Sequence, residues 1–442
     1  MTSLQPFSLP PRWLPLRLFL GGLVAAAAVL LFRQHDLQAL RSITVPAPGF
    51  WVRCGSSLIV LTIALLLALC LGVIVGLNAR RIGPRTEMLA AFFGRALACM
   101  PVVVLAWGFI GGWIGRLGWP VESLMPAQLP DSHDSQQILL ARTLWEFLAP
   151  ALVLALPLCG EMIHAVVVDG RSVLNLDFLL RARGVPRSSR LWRHHFTQLL
   201  PLLRVRLQSL VLVAAVYLII VEDTLRFMGW GDWMAQSIRA GAAGGIALGF
   251  ASGGAMLALL CLCLQRLRGR LKSSGGYVAA LAWQPWLLWG LGALALCPPS
   301  PLLWLLLWAV VLVSGSAAWH QTWNHFEAEL PIEPARMLGA SEFAIWRTHI
   351  AAVQFRMLAA WIGTVFAQTL LGIAAVCALL PRLVAELNAP LAQIFRPLAV
   401  ASMQDAERAL ADPMPLLQSG GIIALAALCL LQVSRIVQPR LP

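Results

Sequence analysis

Apolar runs of about 20 residues make up most of this chain, and short segments rich in arginine, proline or glycine separate them. A run of that length matches one α-helix crossing a hydrocarbon core roughly 30 Å thick. The pattern predicts spans near 14–32, 54–78, 89–115, 144–168, 203–222, 242–266, 279–297, 301–324, 356–380 and 416–434. The expected fold class is therefore all-α, a polytopic membrane protein of about ten transmembrane helices. An even count places both termini on one side. With flanking residues included, the segments on that side hold about twenty Arg and Lys against about ten on the other, so that side is expected to be cytoplasmic.

Composition agrees with the pattern. The chain is 59% hydrophobic and only 12% charged, with a mean hydropathy of +0.77. Net charge is +13, with a single lysine, Lys272, among 33 basic side chains. Basic residues interleaved with spans report topology, so lipid and not nucleic acid is the expected surrounding partner. Nine cysteines fall inside or at the edge of apolar runs. Cys261-Leu-Cys263 is too tight for zinc spacing, and the thiols read as small buried hydrophobes. The first apolar run has no small-residue cleavage site after it and is expected to stay as a span. Most of the 18 tryptophans, among them Trp51, Trp107, Trp113, Trp230 and Trp233, are expected in the interfacial belts.

Two polar segments break the apolar pattern in the same way. "EPARMLGAS" runs from Glu333 to Ser341 and continues "EFAIWRTH"; "RARGVPRSSRLWRHH" runs from Arg181 to His195. Each has a glycine, a polar break, then an apolar residue followed by Trp-Arg. In the later copy Glu333 to Leu338 are good helix formers, with Glu333 and Arg336 as an i,i+3 pair. Gly339 permits a left-handed stop, Ser341 can cap a new helix, and Phe343, Trp346 and Ile350 are expected to pack onto the spans. In the earlier copy Gly184 is the stop and Pro186 suits the restart. Both segments face the expected cytoplasmic side, and two further spans follow each. The chain therefore divides into a first half (1–266, about six spans, loop 169–202), a linker (267–278, "RLKSSGG" at its core) and a shortened second half (279–442, about four spans, loop 325–355). The external segment 381–415 is amphipathic enough to lie along the membrane surface.

"EPARMLGAS" resembles the cytoplasmic coupling loop of the membrane subunits of bacterial ATP-binding-cassette importers, with Glu333, Ala335 and Gly339 matching and Pro334 replacing an alanine. "DFLLRARG", "LWRH" and "VEDTLRFMGWGDWMAQSI" (Val221 to Ile238) are similar to the oligopeptide, dipeptide and nickel permeases of that group, over roughly residues 54–266. The resemblance implies a type I importer permease of the bacterial inner membrane. Its partners would be a cytoplasmic ATPase in two copies and an extracytoplasmic solute-binding protein, and its cargo a small peptide, nickel or a metal chelate. It also implies that Arg181, Ala182, Gly184, Arg193, Glu333, Ala335, Arg336, Gly339 and Ser341 couple to the ATPase. The second half lacks the Leu-Pro that usually follows the loop, having Ala351-Ala352-Val353.

A phosphate loop needs Gly-Lys-Ser/Thr, and Lys272 follows Leu271, so no such loop exists in this chain. ATP and Mg would be bound by the partner, the chain itself carrying no cofactor or metal and no enzyme activity. Ionisable groups within spans are candidates for a substrate path. Glu161 and His164 sit i,i+3 near the end of the fourth span, where pairing with each other or with the first loop is the alternative. Glu222 and Asp223 end the fifth span, where they line an outward mouth, contact the binding protein or are simply solvated at the interface. Trp230 completes the path set, and Arg95 with Pro101 marks a kink in the third span. The rival to a fused permease is a membrane anchor or assembly protein derived from one, or a homodimer using mainly the first half.

Overall fold

The computed structural model describes residues 14–32, 49–110, 136–170, 180, 182–186, 189–266, 337–339, 341–379, 393–398 and 414–437. Among them every regular element is a helix. In chain order these are α1 (Leu14–Phe32), α2 (Phe50–Ile82), α3 (Pro84–Ala98), α4 (Val102–Phe109), α5 (Gln136–His164), α6 (Phe196–Thr224), α7 (Trp230–Ala240), α8 (Ala243–Arg266), α9 (Glu342–Ile345), α10 (Ala351–Leu379), α11 (393–398) and α12 (Met414–Val437). Among the described residues five helices are long and apolar enough to cross a membrane, or up to seven if each of two bent pairs is one span. The molecule is a membrane-embedded helical protein. The expected spans 279–297 and 301–324 and the linker 267–278 lie outside the described residues.

Two expected spans are not straight. The third, 89–115, breaks between α3 and α4 with a bend of 92°. Its cause is Pro101, held at φ −58° and lacking the N–H that a continuous helix would use. Cys99 N–H still bonds Arg95 O at 2.9 Å, and the next turn restarts on the Pro101 carbonyl with Val104 N–H at 3.0 Å. The fifth span, 203–222, bends by 50° between Leu202–Gln208 and Val213–Thr224.

Lipid tails are as apolar as leucine, so helices in a membrane are held together by close packing of small side chains. A Cβ on Gly94 would stand 2.9 Å from the Gly160 carbonyl oxygen, so α3 and α5 touch backbone to backbone there. α6 occupies the centre of the body, packed by α2, α4, α5, α7, α8 and α10. Its residues 218–222 are buried without a break, as a helix surrounded by others requires. α10 and α12 pair with each other and reach α3 and α4, which joins the later part of the chain to the earlier.

Of the segment 381–415 expected along the membrane surface, α11 packs Phe395 and Leu398 into the main core and leaves Gln393 and Arg396 exposed. One expectation is corrected. Trp107 and Trp230 are not belt residues, at 5% and 2% exposure, whereas Trp51 at 69% is available to an interface.

Candidate functional site

The two glycine-broken segments have one backbone form. Gly184 has φ +69° and Gly339 φ +81°, both in the left-handed region that a side chain disfavours. No atom lies within 4 Å of a Cβ built on either, so the turn and not crowding demands glycine. Val185 N–H reaches back to Leu180 O at 3.1 Å, the closure that follows a left-handed helix stop. The restart in the first segment uses the Pro186 carbonyl, bonded by Arg190 N–H at 3.0 Å. In the second, Ser341 caps α9, its Oγ accepting from Ala344 N–H at 3.3 Å, with Glu342 in the first turn.

Beyond the cap the copies converge further. Arg190–His195 and Trp346–Ile350 each form a widened i→i+5 turn, and each holds the Trp-Arg pair. Each widened turn opens directly into a helix of 29 residues, α6 or α10. A short helix follows both, α7 after α6 and α11 after α10, and then a final long helix, α8 or α12. The short helices share a further echo that the sequence reading missed. "AQSIR" (Ala235 to Arg239) parallels "AQIFR" (Ala392 to Arg396). Gln236 and Gln393 are exposed, Ile238 and Phe395 buried, Arg239 and Arg396 exposed. That echo is legible in the sequence as Ala-Gln-x-x-Arg.

The second segment presents apolar side chains outward. Met337 and Leu338 are 89% and 88% exposed, and Phe343 is 70% exposed, stacked on Trp346 at 6.2 Å. The expected packing of Phe343 and Trp346 onto the spans does not occur. Ile345 is the buried residue of α9 instead, because a single helical turn can turn only one face inward. Trp192 of the first segment is likewise exposed.

At the far end of α6 a second constellation holds α7 in place. Glu222 has no exposed surface. Its Oε1 accepts from Ser57 Oγ of α2 at 2.6 Å, and Oε2 accepts from Gly231 N–H at 2.6 Å. Ser57 Oγ in turn accepts from Trp230 N–H at 2.7 Å. Carboxylate and hydroxyl thus satisfy the first amides of α7, where the helix dipole favours negative charge. The Trp230 indole N–H donates to Gly249 O at 3.2 Å and Ser252 Oγ at 3.0 Å on α8. Three helices are thereby bolted to the start of α7. On its polar face Arg239 pairs with Asp223, and Arg53 with Asp232 at 3.9 Å. Burial pushes the Asp232 carboxyl above its usual range, opposed by a hydrogen bond from Gln236.

No family model matches the chain, and no curated protein matches it.

The structure distributes the candidate residues as follows. Ala182, Gly184, Arg193, Gly339 and Ser341 are exposed in the two segments; Arg181, Glu333, Ala335 and Arg336 lie outside the described residues. Glu222 and Trp230 are brought together in the α7 clamp. Fully buried there, Glu222 is neither solvated at an interface nor presented at a mouth in this conformation. Glu161 is exposed and His164 buried on α5. Ser57, which completes the clamp, carried no sequence signal: the second of two adjacent serines at the head of an apolar run, 165 residues from its partner, reads as a small core residue.

Proposed function

We propose that this chain is the permease component of an ATP-driven importer of the bacterial inner membrane, supplying both transmembrane halves of a type I transporter. The two exposed segments would be its cytoplasmic coupling elements, each seated on one copy of a separate ATPase. The observation that carries this reading is the repeated structure: a left-handed glycine, a widened Trp-Arg turn and a 29-residue helix, twice in one chain. Two copies of one exposed device suit a partner that is itself a pair. Met337, Leu338 and Phe343 give the second segment the apolar contact area that a buried anchor in a protein cleft needs. An extracytoplasmic binding protein would deliver the solute, with a small peptide, nickel or a metal chelate as cargo class. Transport would proceed by alternating access, the segments moving with the ATPase as it closes on ATP and the helices behind them rotating.

The test is enzymatic. Extracted from its native membrane in mild detergent, the wild-type complex should hydrolyse ATP in a vanadate-sensitive way, and the chain expressed and purified alone should not. ATP turnover by the isolated chain, or a native complex without any, overturns the assignment.

A further inference from the structure

α2 runs through the membrane between two arginines. Arg53 and Arg80 bracket an uncharged run, Cys54 to Ala79, and stand about 40 Å apart at about 1.5 Å per residue. That is the thickness of the hydrocarbon core with its headgroup layers, so the Arg80 end of α2 lies among headgroups. Arg80 itself is tied down, its Nη2 donating to Val167 O at 3.0 Å. Arg81 and Arg85 are not. They flank the Gly83-Pro84 corner between α2 and α3, and both are exposed. Their guanidinium groups make no hydrogen bond or ion pair among the described residues. The corner that holds them is pinned by Thr86, whose Oγ1 donates to both Ala79 O and Gly83 O at 2.7 Å.

From that corner α3 carries the chain back into the membrane. A Cβ on Gly72 of α2 would lie 3.3 Å from Ile163 N on α5, and one on Gly94 of α3 3.2 Å from Ile163 Cβ. The two helices are therefore level there, about 13 Å inward of Arg81 along α2. The outer face of α3 is one stripe at helical spacing: Arg85, Met88, Leu89, Phe92 and Phe93, all exposed. Phe92 and Phe93 stand edge to face at 5.8 Å. Glu87, the one acid of α3, is about 160° around the helix from Arg85. The stripe thus begins as an unpaired cation among headgroups and ends as aromatic rings at hydrocarbon depth.

We propose that the α2–α3 corner binds an anionic glycerophospholipid, its phosphate held by Arg81 and Arg85 and an acyl chain laid along Met88, Leu89, Phe92 and Phe93. The charge pattern selects this occupant. A guanidinium presents a planar fork of donors that fits phosphate oxygens, and arginines at the ends of membrane helices gather anionic headgroups. A zwitterionic lipid brings its own cation to the corner, which offsets that attraction. An acidic protein segment would satisfy the arginines and leave the apolar stripe, which runs into hydrocarbon, without a partner. The site stands whether or not the chain is an importer.

Fluorescence quenching in reconstituted vesicles tests it without ATPase or cargo. In the full chain with its own cysteines replaced, a fluorophore is attached at Met88→Cys on the stripe. Phosphatidylglycerol or phosphatidylcholine brominated on the acyl chains is then titrated into an unbrominated phosphatidylcholine bilayer. The association constant at this position should be about tenfold higher for phosphatidylglycerol, the order expected for two arginines near one anionic headgroup. Arg81→Gln with Arg85→Gln should bring the two lipids to near equality, and Arg81→Lys with Arg85→Lys should keep most of the preference. Arg356→Gln, at an exposed arginine on α10, should leave it unchanged. Equal quenching by both lipids in the unsubstituted corner overturns the site, as does a preference that survives the glutamine pair. A lysine pair that fails as the glutamine pair does overturns the role of charge. An equal loss with Arg356→Gln reduces the effect to diffuse surface potential and overturns the site. Quenching by neither lipid means that protein, a second copy or another chain, covers the stripe, and overturns the lipid as its occupant.

Discussion

Glu222→Ala should lower stability more than any other single truncation in the described structure. The carboxylate has no contact with solvent and serves the Ser57 hydroxyl and the Gly231 amide directly, and the Trp230 amide through Ser57. Removing it leaves buried donors without acceptors, each costing about 1–3 kcal/mol, so a loss on the order of 3–5 kcal/mol is expected. Gly231→Ala should fail for a different reason. A Cβ there would lie 2.8 Å from Glu222 Oε2 and from Ile219 Cα, and 2.9 Å from Leu218 O, so backbone must shift. Its expected cost is about 1–3 kcal/mol. Arg53→Ala, which removes a half-exposed partner of Asp232, should cost under about 1 kcal/mol. Thermal denaturation in detergent ranks the three. If Glu222→Ala melted no earlier than Arg53→Ala, the clamp would not be what fixes α7.

The second large effect is expected at the exposed glycines. Valine at 339 must adopt φ near +81° or rebuild the turn, a penalty of roughly 1–2 kcal/mol or more for a β-branched residue. That is too little to unfold a helical membrane body. It is enough to misdirect a short segment whose exposed apolar tip, Met337 and Leu338, would meet a partner surface in the proposed complex. If the chain works with a separate ATPase as proposed, Gly339→Val should leave its membrane level unchanged while the ATPase activity of the complex falls about tenfold, the factor that 1.4 kcal/mol represents. Gly184→Val should do the same if both segments seat an ATPase. Immunoblots of membranes and vanadate-sensitive turnover of the purified complex supply the two readings. A loss at Gly184 with none at Gly339 would leave the first half as the only working segment and favour a homodimer. Full activity in both variants would remove the coupling role from these loops.

The helical membrane class was open to reading from the chain alone. A backbone in lipid must satisfy its own hydrogen bonds, so an apolar run of span length has helix as its accessible form. The left-handed glycines were legible for a related reason: Gly339 followed by a capping serine is local chemistry, and the φ values at Gly184 and Gly339 need no distant contact to explain them. Pro101 announced a break in the third span in the same local way, although not that the bend would reach 92°.

What lies on each side of those helices was decided only by tertiary packing. Phe343 and Trp346 have the composition of inward-facing residues, yet they stand exposed because Ile345 takes the one inward face that α9 offers. Glu222 and Glu161 both read as lone carboxylates in apolar spans. One is enclosed by Ser57 and the start of α7, the other stands exposed on α5. Residue type and spacing determine that a segment is a helix, and where it must start, break and stop, because those depend on hydrogen bonds a few residues apart. Whether a carboxylate is enclosed or exposed depends on partners far away in the chain, such as Ser57 for Glu222, and no local pattern encodes that meeting.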